Sequence, residues 1–199
     1  MKLLNLPNIL TLLRLAVIPV IIVLYYLPTW WGHPVAAFIF MLACITDWLD
    51  GYLARSLKLA TRFGEFLDPV ADKVMVCIVL ILVVGEPQFQ FISVSHSVYT
   101  FPAAALTIPA AIIVSREIIV SALREWMAEL GKRTSVAVSW LGKVKTAIQM
   151  VALTVLLFCD AATRAPIVLL GYLLLYVAAL LTIWSMIIYL KAAWPALNE

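Results

Sequence analysis

The chain has 199 residues, 65% of them hydrophobic and only 13% charged. Its mean hydropathy of +1.06 excludes an ordinary soluble domain, and a net charge of +3 is too small to point to nucleic acid. The composition predicts an all-α integral membrane protein built as a single domain, residues 1–199. Cys44, Cys77 and Cys159 form no CxxC pair and sit in apolar segments, so they read as small buried hydrophobes, not as a disulfide or a zinc site.

After a short head, MKLLNL, six apolar segments are long enough to span a bilayer, which takes about 20 residues. They run over about 7–27, 34–55, 64–84, 103–126, 140–159 and 166–190. No small-residue cleavage site follows the first, which reads as a retained span. The fourth continues amphipathically to 130. The stretch 85–102, EPQFQFISVSHSVYTFPA, is polar and aromatic and reads as an interfacial loop on the outer face.

Lys and Arg set the orientation. The connections near 28–33, 85–102 and 160–165 hold one basic residue, Arg164, whereas Lys2, Arg55, Lys58, Arg62, Arg124, Lys132, Arg133, Lys143, Lys145 and Lys191 gather at the other ends. The positive-inside rule puts both termini and the loops between the second and third and the fourth and fifth spans in the cytosol. On that topology Arg14, Asp47, Asp72 and Arg116 all lie roughly 10–15 Å below the cytosolic surface, at 1.5 Å per residue. The outer halves carry almost no charge. The pattern predicts six transmembrane helices around a polar cavity open to the cytosol. A cation transporter built on the same acids would need a polar path through the outer halves, which the sequence lacks.

Four carboxylates, Asp47, Asp50, Asp68 and Asp72, fall inside the second and third spans. At 100° per residue, Asp47, Asp50, Gly51, Ala54 and Arg55 share one face of the second span; Gly64, Asp68 and Asp72 share one face of the third. Small residues predict close approach of the two helices and convergence of the acids. Acids inside a membrane are costly and normally serve a function. Oxygen donors without His or Cys suit a hard cation, Mg²⁺ or Mn²⁺, and two ions about 3.5–4 Å apart clamp a phosphoryl group. Simple ion pairing with Arg55, Arg62 and Lys73 is the plainer reading, but so many acids at one depth exceed a structural need. His33 and His96 lie in the outer connections, too far away to act as a base.

The spacing Asp47-x2-Asp50-Gly51-x2-Ala54-Arg55-x8-Gly64-x3-Asp68-x3-Asp72 matches without departure the signature of the CDP-alcohol phosphotransferase family, which the chain therefore resembles. The resemblance implies the fold of that family, a homodimer, and transfer of a phosphatidyl or similar group from a CDP-linked donor to an alcohol with release of CMP. It implies that Asp47, Asp50, Asp68 and Asp72 hold two metal ions, that Asp72 is also the general base, and that Gly51, Ala54, Arg55 and Gly64 line the CDP site. The flanking segments NLPNILTLLRL and SREIIVSALREWMAELGKRTSVAVSWLGKVKT resemble the bacterial branch whose donor is CDP-diacylglycerol and whose acceptor is glycerol 3-phosphate. Inositol phosphate, serine or phosphatidylglycerol are the alternative acceptors.

The residues give separate support for a phosphorylated acceptor. Arg14, Lys73, Arg116, Arg124, Lys143 and Lys145 remain beyond the cations needed for CDP. A phosphomonoester carries about two negative charges near pH 7, and arginine grips it bidentately. Arg116 and Lys143 are the first candidates to bind that phosphate, Arg14 and Arg124 the next. Topology and attraction to anionic lipid account for Lys132 and Arg133 and compete as explanations for Lys143.

Overall fold

A computed structural model describes residues 6–56, 61–94, 97–130 and 140–197. Within these, only the backbone is described at 6–7, 48, 50–56, 62, 65, 93–94, 97–98, 140–141 and 195–197. Six long helices account for most of the chain: α1 Leu6–Tyr26, α2 Gly32–Ser56, α3 Arg62–Gly85, α4 Ala104–Glu129, α5 Trp140–Phe158 and α6 Ala165–Leu197. By length and composition α1, α4 and α6 are long and apolar enough to cross a membrane. In α2 the apolar stretch stops at Asp47, where the acids begin.

The stretch after α3 differs from the expected loop. A 3-10 turn, Pro87–Gln90, leads into a two-stranded antiparallel hairpin of β1 Phe91–Val94 and β2 Ser97–Thr100. The fold is therefore helical with one small sheet. Phe, Ile, Val, Tyr and Thr favour the pleated conformation, and their register pairs Phe91 with Thr100 and Ile92 with Tyr99. The unit is fastened to the bundle. The Tyr172 hydroxyl of α6 donates to the Phe89 carbonyl at 2.7 Å, Gln88 Nε2 donates to the Cys159 carbonyl at 3.2 Å, and Phe89 and Ile92 are buried.

The core is polarised along the bundle. One continuous apolar cluster fills the half nearest the hairpin, with Tyr25, Phe40, Leu80, Ile113 and Leu153 among its largest members. It draws on the second halves of α1 and α3 and the first halves of α2 and α4. Large apolar side chains also point outward on every helix, for example Val23, Phe38, Ile81, Ile118, Val151 and Leu180. In water such a girdle would be an aggregation surface; against lipid it costs nothing.

Packing between α5 and α6 is the most extensive in the molecule, and Gly171 permits it. A Cβ at 171 would stand 2.6 Å from Leu156 Cδ2 and 2.8 Å from its Cγ, and Leu156 is fully buried. Gly171→Ala is expected to destabilise by about 1–3 kcal/mol through overpacking. Thermal unfolding in detergent measures it; an unchanged midpoint would show that the seam yields freely.

Candidate active site

In the other half of the bundle, the apolar core gives way to a cavity of about 340 Å³. Every helix except α1 lines it: Asp47 from α2; Asp68, Pro69, Asp72 and Lys73 from α3; Arg116, Glu117 and Arg124 from α4; Gly142, Thr146 and Gln149 from α5; Tyr189 from α6. Asp47, Asp72 and Arg116, placed at one depth by the sequence, open onto this one space. α3 continues through Pro69, whose missing N–H frees the carbonyl of residue 65.

α1 holds the acids from behind. Asn8, Thr11 and Arg14 are all buried and three residues apart, so they form one polar stripe on an otherwise apolar helix. The Arg14 guanidinium donates through Nη1 to Asp47 Oδ1 at 2.6 Å and to Asp72 Oδ1 at 2.5 Å. The Thr11 hydroxyl donates to Asp68 Oδ1 at 2.5 Å. Asn8 Nδ2 donates to Thr61 Oγ1 at 3.0 Å, and Thr61 caps α3 by accepting from the Gly64 N–H at 3.0 Å. A Cβ on Gly64 would stand 2.6 Å from Asn8 Oδ1, so this glycine allows α1 and α3 to meet at the cap.

These contacts add a third helix to the expected arrangement. α1 packs on both α2 and α3 and braces the acids that the sequence pattern brought together from those two helices. Among the described residues, no three of His, Cys, Asp or Glu stand together as a metal-ligand group. The carboxylates and hydroxyl nevertheless form an all-oxygen donor set whose chemistry fits a hard divalent cation. For Asp50, Gly51, Ala54 and Arg55 the backbone continues α2, and their side chains lie outside the described residues. Gly64 is buried against Asn8 and does not line the cavity.

The predicted cations separate into three groups. Arg116 and Arg124 line the cavity. Arg14 is buried against Asp47 and Asp72. Lys143 is exposed and outside the lining. Helical phase explains the last: Gly142, Thr146 and Gln149 share one face of α5, and Lys143 lies about 100° round from Gly142. Lys145 falls on the buried side and donates to Glu117 Oε1 at 2.7 Å. Lys73 donates to the Ser121 hydroxyl of α4. The residues that sequence reasoning missed are Asn8, Thr11, Tyr189 and Ser185. The 8–11–14 spacing was a readable signal for the first two; α6 offered none for the others.

Such a cavity joins acids that suit a divalent cation and a proton transfer with arginines that suit a phosphate. The family model for CDP-alcohol phosphatidyltransferase matches residues 4–184. The chain is 52% identical over 196 residues to the CDP-diacylglycerol–glycerol-3-phosphate 3-phosphatidyltransferase of Yersinia enterocolitica, covering 98% of both chains. It is 51% identical to a protein of the same name from Yersinia pestis, again over 98% of both. A third, from Salmonella choleraesuis, is 52% identical over 95% of this chain and 94% of its own. With three of its four signature acids, Asp47, Asp68 and Asp72, lining one cavity and the match running nearly end to end, the chain belongs to the CDP-alcohol phosphatidyltransferase family.

Proposed function

We propose that this chain transfers the phosphatidyl group of CDP-diacylglycerol to glycerol 3-phosphate, forming phosphatidylglycerophosphate and CMP, in the making of anionic phospholipid. The observation that carries the reading is the cavity itself, where Asp47, Asp68 and Asp72 meet Arg116 and Arg124. The names of the relatives supply the acceptor.

Asp72 takes the proton of the C1 hydroxyl of glycerol 3-phosphate. The resulting alkoxide attacks the phosphorus that bears the diacylglycerol, and the bond to CMP breaks. Arg14 and Thr11 hold Asp47, Asp72 and Asp68 in place. Gly51, Ala54 and Arg55 belong to the CDP side, and Arg55 supplies countercharge to the pyrophosphate; Gly64, buried against Asn8, serves that side by seating α1 on α3. Arg116 and Arg124 receive the phosphate of the acceptor. Arg14 and Lys143, the other candidates for that role, stand behind the acids and outside the cavity respectively. A divalent metal, Mg²⁺ or Mn²⁺, would be held by Asp47, Asp50, Asp68 and Asp72 as a two-ion site, and when bound it supplies Lewis-acid charge to the pyrophosphate.

All six helices cross the membrane in this reading, since α2, α3 and α5 carry outward apolar faces as α1, α4 and α6 do. The basic ends put both termini and the cavity on the cytosolic side of a bacterial inner membrane, and the enzyme works as a homodimer. The test is a comparison of acceptors: purified protein with CDP-diacylglycerol and Mg²⁺ or Mn²⁺, offered glycerol 3-phosphate, serine, inositol phosphate or phosphatidylglycerol. Glycerol 3-phosphate is expected to give the fastest CMP release; faster turnover with another acceptor would reject it as the substrate.

A further inference from the structure

Apart from the aspartates, the most organised polar group in the molecule stands where α4 meets α6. Arg116 and Arg124 lie eight residues apart on α4, within about 80° of each other around the helix. Both guanidiniums stand over the ring of Tyr189, with Cζ at 5.8 and 5.2 Å from its centroid. The Tyr189 hydroxyl accepts from Arg124 Nη2 at 3.0 Å. One turn earlier, the Ser185 hydroxyl accepts from Arg116 Nη2 at 3.2 Å. On its other side Arg116 Nη1 donates to Glu117 Oε1 at 2.8 Å.

Two like charges side by side need an electron-rich surface between them. Tyr189 provides one twice, through the face of its ring and through its hydroxyl oxygen. It is 3% exposed and still lines the cavity. Arg116 is 8% exposed, and its Nε has no partner among the described residues. A buried guanidinium with donor capacity left over is suited to an anion that brings several acceptor oxygens.

We propose that Tyr189 is a specificity-determining positioning residue for the acceptor: it holds Arg116 and Arg124 together at the cavity wall so that their remaining N–H groups meet a phosphomonoester. This rests on the reading that the acceptor is glycerol 3-phosphate. Tyr189 touches the arginines and acts through them. Its loss therefore weakens binding of the acceptor and leaves the CDP-lipid side alone.

The experiment is steady-state kinetics of the full-length protein in detergent, varying each substrate in turn, for wild type, Tyr189→Phe, Tyr189→Leu and the control Tyr176→Phe, an exposed position on α6. Tyr189→Phe keeps the ring and loses the hydroxyl, so KM for glycerol 3-phosphate should rise about 3–10-fold. Tyr189→Leu loses both and should raise it about tenfold or more. KM for CDP-diacylglycerol should stay at the wild-type value in both, and Tyr176→Phe should match wild type throughout. The inference fails if KM rises for both substrates together, if neither moves, or if only kcat falls. Tyr189→Phe decides the matter should Tyr189→Leu not fold. A wild type that is inert toward glycerol 3-phosphate would instead overturn the underlying reading of the acceptor.

Discussion

Asp72→Asn is expected to slow turnover by about 10²–10⁴-fold, the range that general-base catalysis contributes, while CDP-diacylglycerol still binds. Asp72 lines the cavity and is held by Arg14 through Oδ1 at 2.5 Å. Asparagine has nearly the same shape, and its carbonyl oxygen still accepts from Arg14. What it loses is the capacity to take a proton from the incoming hydroxyl. Asp47 keeps its own bond to Arg14; because Asp72 is also a proposed cation ligand, turnover is compared at saturating Mg²⁺ or Mn²⁺. CMP release and equilibrium binding of CDP-diacylglycerol, measured on the same preparation, separate the two effects. Near-normal turnover of Asp72→Asn would remove Asp72 from the role of base. Loss of donor binding would make it a binding residue first.

Arg14→Met is expected to destabilise the protein and to reduce activity with it. The arginine side chain is 1% exposed, and the two carboxylates it serves are 34% and 36% exposed. Removing one partner of a fully buried ion pair costs about 3–5 kcal/mol, because the other charge is left uncompensated. Solvent reaches Asp47 and Asp72, so a loss of about 2 kcal/mol is the reasonable figure here. Methionine fills the space without charge, which separates the electrostatic loss from a cavity. Arg14→Lys keeps the charge but replaces the planar fork by a point charge and should fall between the two. Thermal unfolding in detergent reads the effect. If Arg14→Met unfolded at the wild-type temperature, the α1 stripe would not be what holds the acids.

Both predictions depend on a division of labour that was half legible in the sequence. The six helices lie close to where apolar runs and breaks placed them, because a span must be long, apolar and bounded by polar connections. That Asp47, Asp72 and Arg116 stand at one level of the bundle, on one cavity, was equally legible, since it needs only the rise per residue and the ends of the helices. The neighbour relations were not. Small residues at Gly51, Ala54 and Gly64 pointed to α2 and α3 alone, whereas α1 also reaches the acids of both. Gly64 is small because Asn8 stands against it. Asn8, Thr11 and Arg14 carried a usable signal, three polar residues at helical spacing in an apolar run, whose partners lie 33 to 58 residues away.

The cations show the limit more sharply. Lys143 and Lys145 are two residues apart and chemically alike, yet one is exposed and the other is sealed against Glu117. Their rotation about α5 decides this, and rotation follows from packing on α6 and α2, which no local pattern encodes. Tyr189 lies 65 residues from Arg124 in a helix that carries no charge between Ile167 and Leu190, so no nearby charge marks it. The hairpin after α3 was read as a loop because its strands are only four residues each, and its fastening to α6 is a tertiary effect.

The most direct measurement of the central claim follows the glycerol itself. Purified protein is incubated with CDP-diacylglycerol, radiolabelled glycerol 3-phosphate and Mg²⁺ or Mn²⁺, and label in the lipid phase is compared with CMP in the aqueous phase. The account predicts that label enters lipid in a one-to-one ratio with CMP and that Asp72→Asn slows both together by about 10²–10⁴-fold. Release of CMP with no label in lipid would contradict it, as would label transfer at a near-wild-type rate in Asp72→Asn.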